Sequence, residues 1–285
     1  LCLAIFQGRQ NYRLMAIHSV LASLVMLGTT VLLLECTSLG LIGAMLAKAI
    51  PAVVTGTIVV VLLKPMLAGP RKRDPEEITL MKQMFIPVNI YVGSLALLSN
   101  TVPLFVRNFI VQHSGGYGAL TTLGTIPTLF ITSIVFVIFP MAAAEYATGN
   151  EIDRLYRKAV LAGIFVTLLC VGGLALISRP LMGCWNQTFV PYAAYVWPYA
   201  LAMGLNGIIQ LIASVELARH RYAFLWFVAV PAVLMCIVLY ACRDILTMPM
   251  IMTSLVTTHA VILGGIFLFG KFARNLYAKE SRGSA

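Results

Sequence analysis

AVLAGIFVTLLCVGGLALIS, residues 159–178, decides the fold class of this chain. Twenty consecutive residues carry no charge. At 1.5 Å of rise per residue, a helix of that length covers about 30 Å, the thickness of a bilayer's hydrocarbon core. Bases bracket the run, with Arg154, Arg157 and Lys158 before it and Arg179 after it. A strand of a membrane barrel would be about ten residues of alternating polarity, and nothing alternates here. The segment reads as a transmembrane helix.

Seven other runs share its length and character. Together the eight cover roughly 14–34, 40–63, 84–106, 118–142, 159–178, 190–215, 222–242 and 247–270. Composition agrees: 60% of the 285 residues are hydrophobic and 11% charged, against about 45–50% and 25% in soluble domains. Mean hydropathy is +0.92. The net charge of +10 is spread over short gaps between the runs, whereas a nucleic-acid binder gathers its bases on one solvated face. No nucleic-acid partner is expected; the membrane lipids are.

The bases set an orientation instead. Sixteen of the 20 Lys and Arg fall in the gaps at 7–13, 64–83, 145–158 and 216–221 and in the tail after Gly270. Alternate gaps hold only Arg107, Arg179 and Arg243, and Lys48 stays inside a run. The positive-inside rule places the first set, and with it both ends of this chain, in the cytoplasm. The chain begins at Leu1 within an apolar stretch and reads as a fragment that lacks an N-terminal portion.

The longest gap, KPMLAGPRKRDPEEITLMKQ (64–83), contains Pro and Gly that stop both flanking helices. It also contains Asp74-Pro75-Glu76-Glu77, which reads as the cap and first turn of a short amphipathic helix. It is either a solvated cytoplasmic linker or a connector between two helical lobes, and the two readings are compatible. The expected organisation is 1–63 as the end of an N-terminal lobe, 64–83 as a linker, 84–270 as a six-helix C-terminal lobe, and 271–285 as a basic tail. No gap is long enough to house a catalytic domain, and neither GxSxG nor HExxH occurs, so an enzyme is not expected. The six cysteines are scattered without metal-ligand spacing and read as small apolar fillers. Neither metal nor cofactor is expected.

Polar residues inside spans are costly and become candidate functional residues. Lys48 lies in the series Gly40, Ala44, Lys48, Ala52, Gly56, one small-residue face of the second span. It either lines a cavity, or snorkels or forms a structural ion pair. The third span carries Asn89, Gly93, Ala96, Asn100, Pro103 and Arg107 in one stripe. Asn100 is equally read as an interhelical hydrogen-bonding group, and Arg107 as an interfacial anchor. Thr121, Thr125, Thr128 and Thr132 share a face of the fourth span, where hydroxyls bonded to their own helix are the simpler reading. In the sixth, Tyr195, Tyr199, Asn206, Gln210 and Ser214 run toward Glu216. The substrate-binding candidates are Lys48, Asn100, Arg107, Asn206 and Gln210. His18 and His259 read as packed or interfacial histidines, and Asn186-Gln187-Thr188 matches a weak glycosylation sequon. Prolines at 51, 87, 103, 127, 198, 231 and 249 predict bends of the kind found in rocking transporters.

FQGRQNYRLMAIHSVLASLVMLGTTVLLL (6–34) places a Gln-Gly-basic-aromatic turn before an apolar span. Further on, SLALLSNTVPLFVRNFI (94–110) is followed by Tyr117-Gly118, Phe139-Pro140 and a charged loop before residue 160. This pattern resembles O-antigen (Wzx-type) polysaccharide flippases of the multidrug/oligosaccharidyl-lipid/polysaccharide exporter superfamily. The resemblance implies a two-lobed, all-α bacterial inner-membrane protein, of which these eight spans would be helices five to twelve. It implies flipping of an undecaprenyl-diphosphate-linked oligosaccharide by alternating access, a cationic cavity served by Lys48 and Arg107, and other polysaccharide-assembly proteins as partners. The position of Asn100 is often acidic in that family, so an ion coupling is not carried over. The alternatives are a Na⁺- or H⁺-coupled multidrug exporter, which calls for an acid deep in a span, and a membrane-embedded polysaccharide-modifying enzyme, which calls for a long external loop.

Overall fold

The computed structural model describes residues 20–21, 24–29, 31–33, 46, 49–50, 53–54, 56–57, 61, 75–148, 153–219 and 221–283. The chain divides into two units, Leu1–Pro75 and Glu76–Ala285. In the first, every described residue is helical. Thr29 and Thr57 donate their hydroxyls to the carbonyls of Val25 and Val53, each at 2.8 Å. These residues fall within the runs at 14–34 and 40–63, but Lys48 lies outside the described residues.

The second unit holds seven α-helices and no strand among its described residues. α1 (Pro75–Phe109) opens on Pro, whose missing N–H is harmless in a first turn, with two glutamates behind it. The sequence predicts a short helix here, yet α1 continues for 35 residues through the expected linker boundary into the apolar run. A 3-10 turn, Val111–His113, leads into α2 (Ser114–Gly124), followed by α3 (Ile126–Thr148) and α4 (Asp153–Trp185). Next come a nine-residue 3-10 segment, Gln187–Tyr195, and then α5 (Val196–Ala218), α6 (Leu225–Ala241) and α7 (Met248–Gly283). The sequence reads 190–215 as one regular span, but the α-helix begins only at Val196.

α5 is the hub, packing against α2, α3, α4 and α7. Val196, Ala200, Ala202, Ile209, Leu211, Ala213 and Val215 on it are wholly inaccessible, and they lie all round the helix rather than on one stripe. Two glycines permit this closeness. A Cβ on Gly204 would collide with the Thr167 side chain of α4, and one on Gly207 would lie 2.9 Å from Ile131 Cδ1 of α3. Lipid tails are as apolar as Leu, so helices in a bilayer associate through such close contacts rather than by hydrophobic exclusion. The other helices keep one apolar face outward, including Leu161, Phe165, Leu168 and Leu176 of α4. That is the surface a lipid-solvated protein presents.

Among the described residues four helices are long and apolar enough to cross a bilayer: Phe85–Phe109, Arg154–Trp185, Gln187–Ala218 and Met248–Phe269. Val111–Gly124 with Ile126–Ala142, bent by 41°, makes a fifth if the pair is one span. The expected eight are not reached among these residues. Residues 1–74 are described only in fragments. α6, with 17 residues, spans only about 26 Å at 1.5 Å per residue. The all-α, membrane-embedded class holds.

Substituting Gly204→Val should lower the unfolding free energy by about 1–3 kcal/mol through overpacking against Thr167. Gly173→Ala, in open space on α4, should be neutral or stabilise by up to about 1 kcal/mol, since helical Gly is unfavourable relative to Ala. Steric-trap or SDS unfolding of both variants in bicelles measures the difference. Equal effects would show that the glycine seat does not hold α5.

Candidate functional site

α1 is two-faced. Ser94, Leu98, Thr101, Val102 and Val106 are buried, with Thr101 Oγ1 3.1 Å from Cys236 Sγ on α6 and Tyr91 edge-on to Phe224. Asn89, Gly93, Ala96, Asn100 and Arg107 are all exposed. At 100° per residue, that stripe lies diametrically opposite the buried face. Asn89, Asn100 and Asn108 each satisfy one amide hydrogen by donating to the carbonyl four residues back, at 2.7, 2.8 and 2.9 Å. The acceptor side of each amide stays free for an outside partner. Asn100 lies nine residues from the end of the apolar segment Phe85–Phe109, about 14 Å in, while Arg107 is near its end.

Asn206 and Gln210 sit elsewhere. They are one turn apart on α5, Gln210 half-buried and Asn206 only 2% exposed. The Asn206 Oδ1 has no partner among the described residues. His259, at the midpoint of Met248–Phe269 on α7, is fully buried in the same way. Its Nδ1 lies 2.8 Å from the Leu255 carbonyl. A carbonyl only accepts, so Nδ1 carries the proton and Nε2 presents a lone pair, which is also unpartnered. Two hydrogen-bond acceptors thus lie unsatisfied near the middle of two helices that pack together. Their chemistry calls for a donor such as water, a hydroxyl or an ammonium group.

The sequence candidates therefore separate. Asn100 and Arg107 share the outward stripe of α1, Asn206 and Gln210 share the hub helix, and the structure does not bring the two pairs into contact. The threonine face also divides. Thr121 and Thr122 donate to the Gly118 carbonyl and Thr125 to that of Thr122, all within their own helix. Thr128 instead donates across to the Met203 carbonyl of α5 at 2.6 Å. Ser214 donates to its own helix at Leu211, and Glu216 lies 3.7 Å from Arg219. His259 is packed, one of the two positions the sequence allows it, but an isolated His on an apolar helix carries no signal of which ring nitrogen is satisfied. The pairing of His113 Nδ1 with Tyr192 Oη at 2.7 Å was not legible at all. Its partners are 79 residues apart. Among the described residues no cluster of His, Cys, Asp and Glu has the makings of a metal site.

Comparison with protein-family models, curated proteins and solved structures gives no match.

Removing an unsatisfied buried acceptor should not harm a fold. Asn206→Leu should therefore leave thermal unfolding unchanged or raise the midpoint, because the apolar side chain has no polar atom to desolvate. Thr128→Val should cost about 0.6 kcal/mol, the usual worth of an interhelical hydrogen bond in a membrane. Thermal unfolding of both variants in one detergent tests the contrast. Strong destabilisation by Asn206→Leu would show that the amide is a structural strut.

Proposed function

We propose that this protein is a transporter that moves a lipid-linked oligosaccharide diphosphate across the bacterial inner membrane by alternating access. The observation that carries the reading is the outward stripe of α1. An Asn and an Arg on a membrane helix, turned away from the helices that α1 packs on, are ill suited to acyl chains. Asn100 lies about 14 Å inside the apolar segment, and polar side chains within membranes face cavities or partners. Such a stripe suits a hydrated path with places for hydroxyl-rich sugar and for anionic oxygen.

In this reading the chain contributes eight spans, with both of its ends cytoplasmic, as the last two helices of one lobe and the six of another. Arg107 and Lys48 supply positive charge for the diphosphate, and Asn100 bonds sugar hydroxyls or phosphate oxygens. Guanidinium groups suit this task because their forked donors match phosphate oxygens. Asn206 and Gln210 act within the packed lobe, where polar groups bias one helix arrangement over another. The resemblance of 6–34 and 94–160 to polysaccharide flippases supports the substrate class.

Translocation of a fluorescent undecaprenyl-diphosphate saccharide by the full-length protein in proteoliposomes tests the proposal. Arg107→Ala and Lys48→Ala should each slow flipping by about 10- to 150-fold, the loss expected when one charged hydrogen bond of about 1.5–3 kcal/mol is removed. Arg107→Lys should retain more activity than Arg107→Ala. Wild-type rates in both alanine variants would dismiss these cations from the path. No movement of the lipid by the wild-type protein would dismiss the reading.

A further inference from the structure

The second span of the Glu76–Ala285 unit is broken, and the break has a definite cause. Pro127 has no N–H to offer the carbonyl of Leu123, and the residue before a proline resists the helical conformation. The chain accordingly bends by 41° between Gly124 and Ile126. Below the break the structure is pinned. Thr128 holds the Met203 carbonyl, and Ile131 sits in the Gly207 seat of α5.

Above the break the bonding is of another kind. α2 (SGGYGALTTLG) has four glycines in 11 residues. Each costs about 1 kcal/mol of helix propensity relative to Ala, so α2 depends on its neighbours to stay helical. Those neighbours are aromatic rings seated on glycines. The Tyr192 ring fills the space where a Cβ of Gly116 would be, and the Tyr199 ring does the same at Gly124. Tyr117 meets Tyr199 edge-on at 6.0 Å, and His113 is bonded to Tyr192 at 2.7 Å. Tyr192 lies on the 3-10 segment Gln187–Tyr195, which opens its span and whose hydrogen bonding is poorer than that of an α-helix. Two irregular pieces of backbone thus face each other at one end of the bundle, joined through the Tyr192 and Tyr199 rings.

We infer that α2 is a hinged half-helix. It swings as a unit about Thr125, and Tyr192 and Tyr199 latch it against the 3-10 segment and the start of α5. Released, it uncovers that end of α5 while Thr128 and Ile131 keep α3 in place. The inference does not depend on the identity of the transported molecule.

Hydrogen exchange of the full chain in nanodiscs, followed by mass spectrometry, decides it. Amides of 114–124 should open together, exchanging at least about tenfold faster than those of 129–142, because separately stabilised units open with their own free energies. Tyr192→Phe removes only the bond to His113 and should speed exchange in α2 and 187–195 while leaving α3 unchanged. Gly116→Ala displaces the Tyr192 ring while improving helix propensity, and should do the same. Exchange in α2 as slow as in α3, or equal acceleration of both helices by Tyr192→Phe, would overturn the hinge. If Gly116→Ala slowed exchange in α2, the glycine would be a weakness in the helix and not a latch seat.

Discussion

Everything in the Glu76–Ala285 unit depends on how closely α5 can be approached. Gly204 and Gly207 are three residues apart, about 60° from each other round the helix. One admits Thr167 of α4 and the other Ile131 of α3. With those two neighbours fixed, the inaccessible faces of α5 follow, and so does the position of Asn206 among them. In water, a helix so apolar would be held by the exclusion of solvent. Within a bilayer that drive is absent, and the contact distance itself carries the stability.

The same constraint separates the two kinds of polar residue. Around α5 polar groups are few, and most are satisfied within the protein: Thr167 by Gly163, Ser178 by Ala193, Thr128 by Met203. Asn206 and His259 are departures, each with an unsatisfied acceptor in a tightly filled region. On α1 the situation reverses. Its asparagines and Arg107 are exposed, and Asn89 and Asn100 bond their own helix with one amide hydrogen while keeping an acceptor outward. A lobe shaped only for stability would have apolar residues in both places, since isosteric apolar replacement of polar pairs is close to neutral. In the proposed alternating-access reading, the group that meets Asn206 or Asn100 in one arrangement is absent in another.

How much of this was legible in the sequence follows from what each feature depends on. Helical class, apolar run positions and the stripe on α1 are periodic properties of one segment, so a single sequence displays them. The stripe at Asn89, Asn100 and Arg107 was readable as a stripe, but its direction was not. Only the burial of Leu98, Val102 and Val106 opposite it shows that it points away from the unit. The 3-10 stretch at Gln187–Tyr195 escaped notice because its composition is that of an ordinary span. The seats at Gly116 and Gly124 escaped because glycine in a membrane helix has many uses, and the rings that fill them lie some 75 residues along the chain. Pro127 was read as a bend, yet the sequence could not say that the half above it would be held by tyrosines and the half below by Thr128 and Ile131.

These features meet through the covalent chain. Arg107 is seven residues before Ser114, and only the 3-10 turn Val111–His113 separates α1 from α2. That turn ends on His113, the residue bonded to Tyr192. A swing of α2 therefore cannot leave the end of α1 where it was. It pulls on the turn that follows Arg107 and Asn108. Thr101 with Cys236 and Tyr91 with Phe224 hold α1 about two and five turns away from that end, while Val106 and Ile110 are buried at it. The latch residues and the polar stripe, distant in chemistry and unrelated in sequence pattern, are in this way parts of one mechanical path.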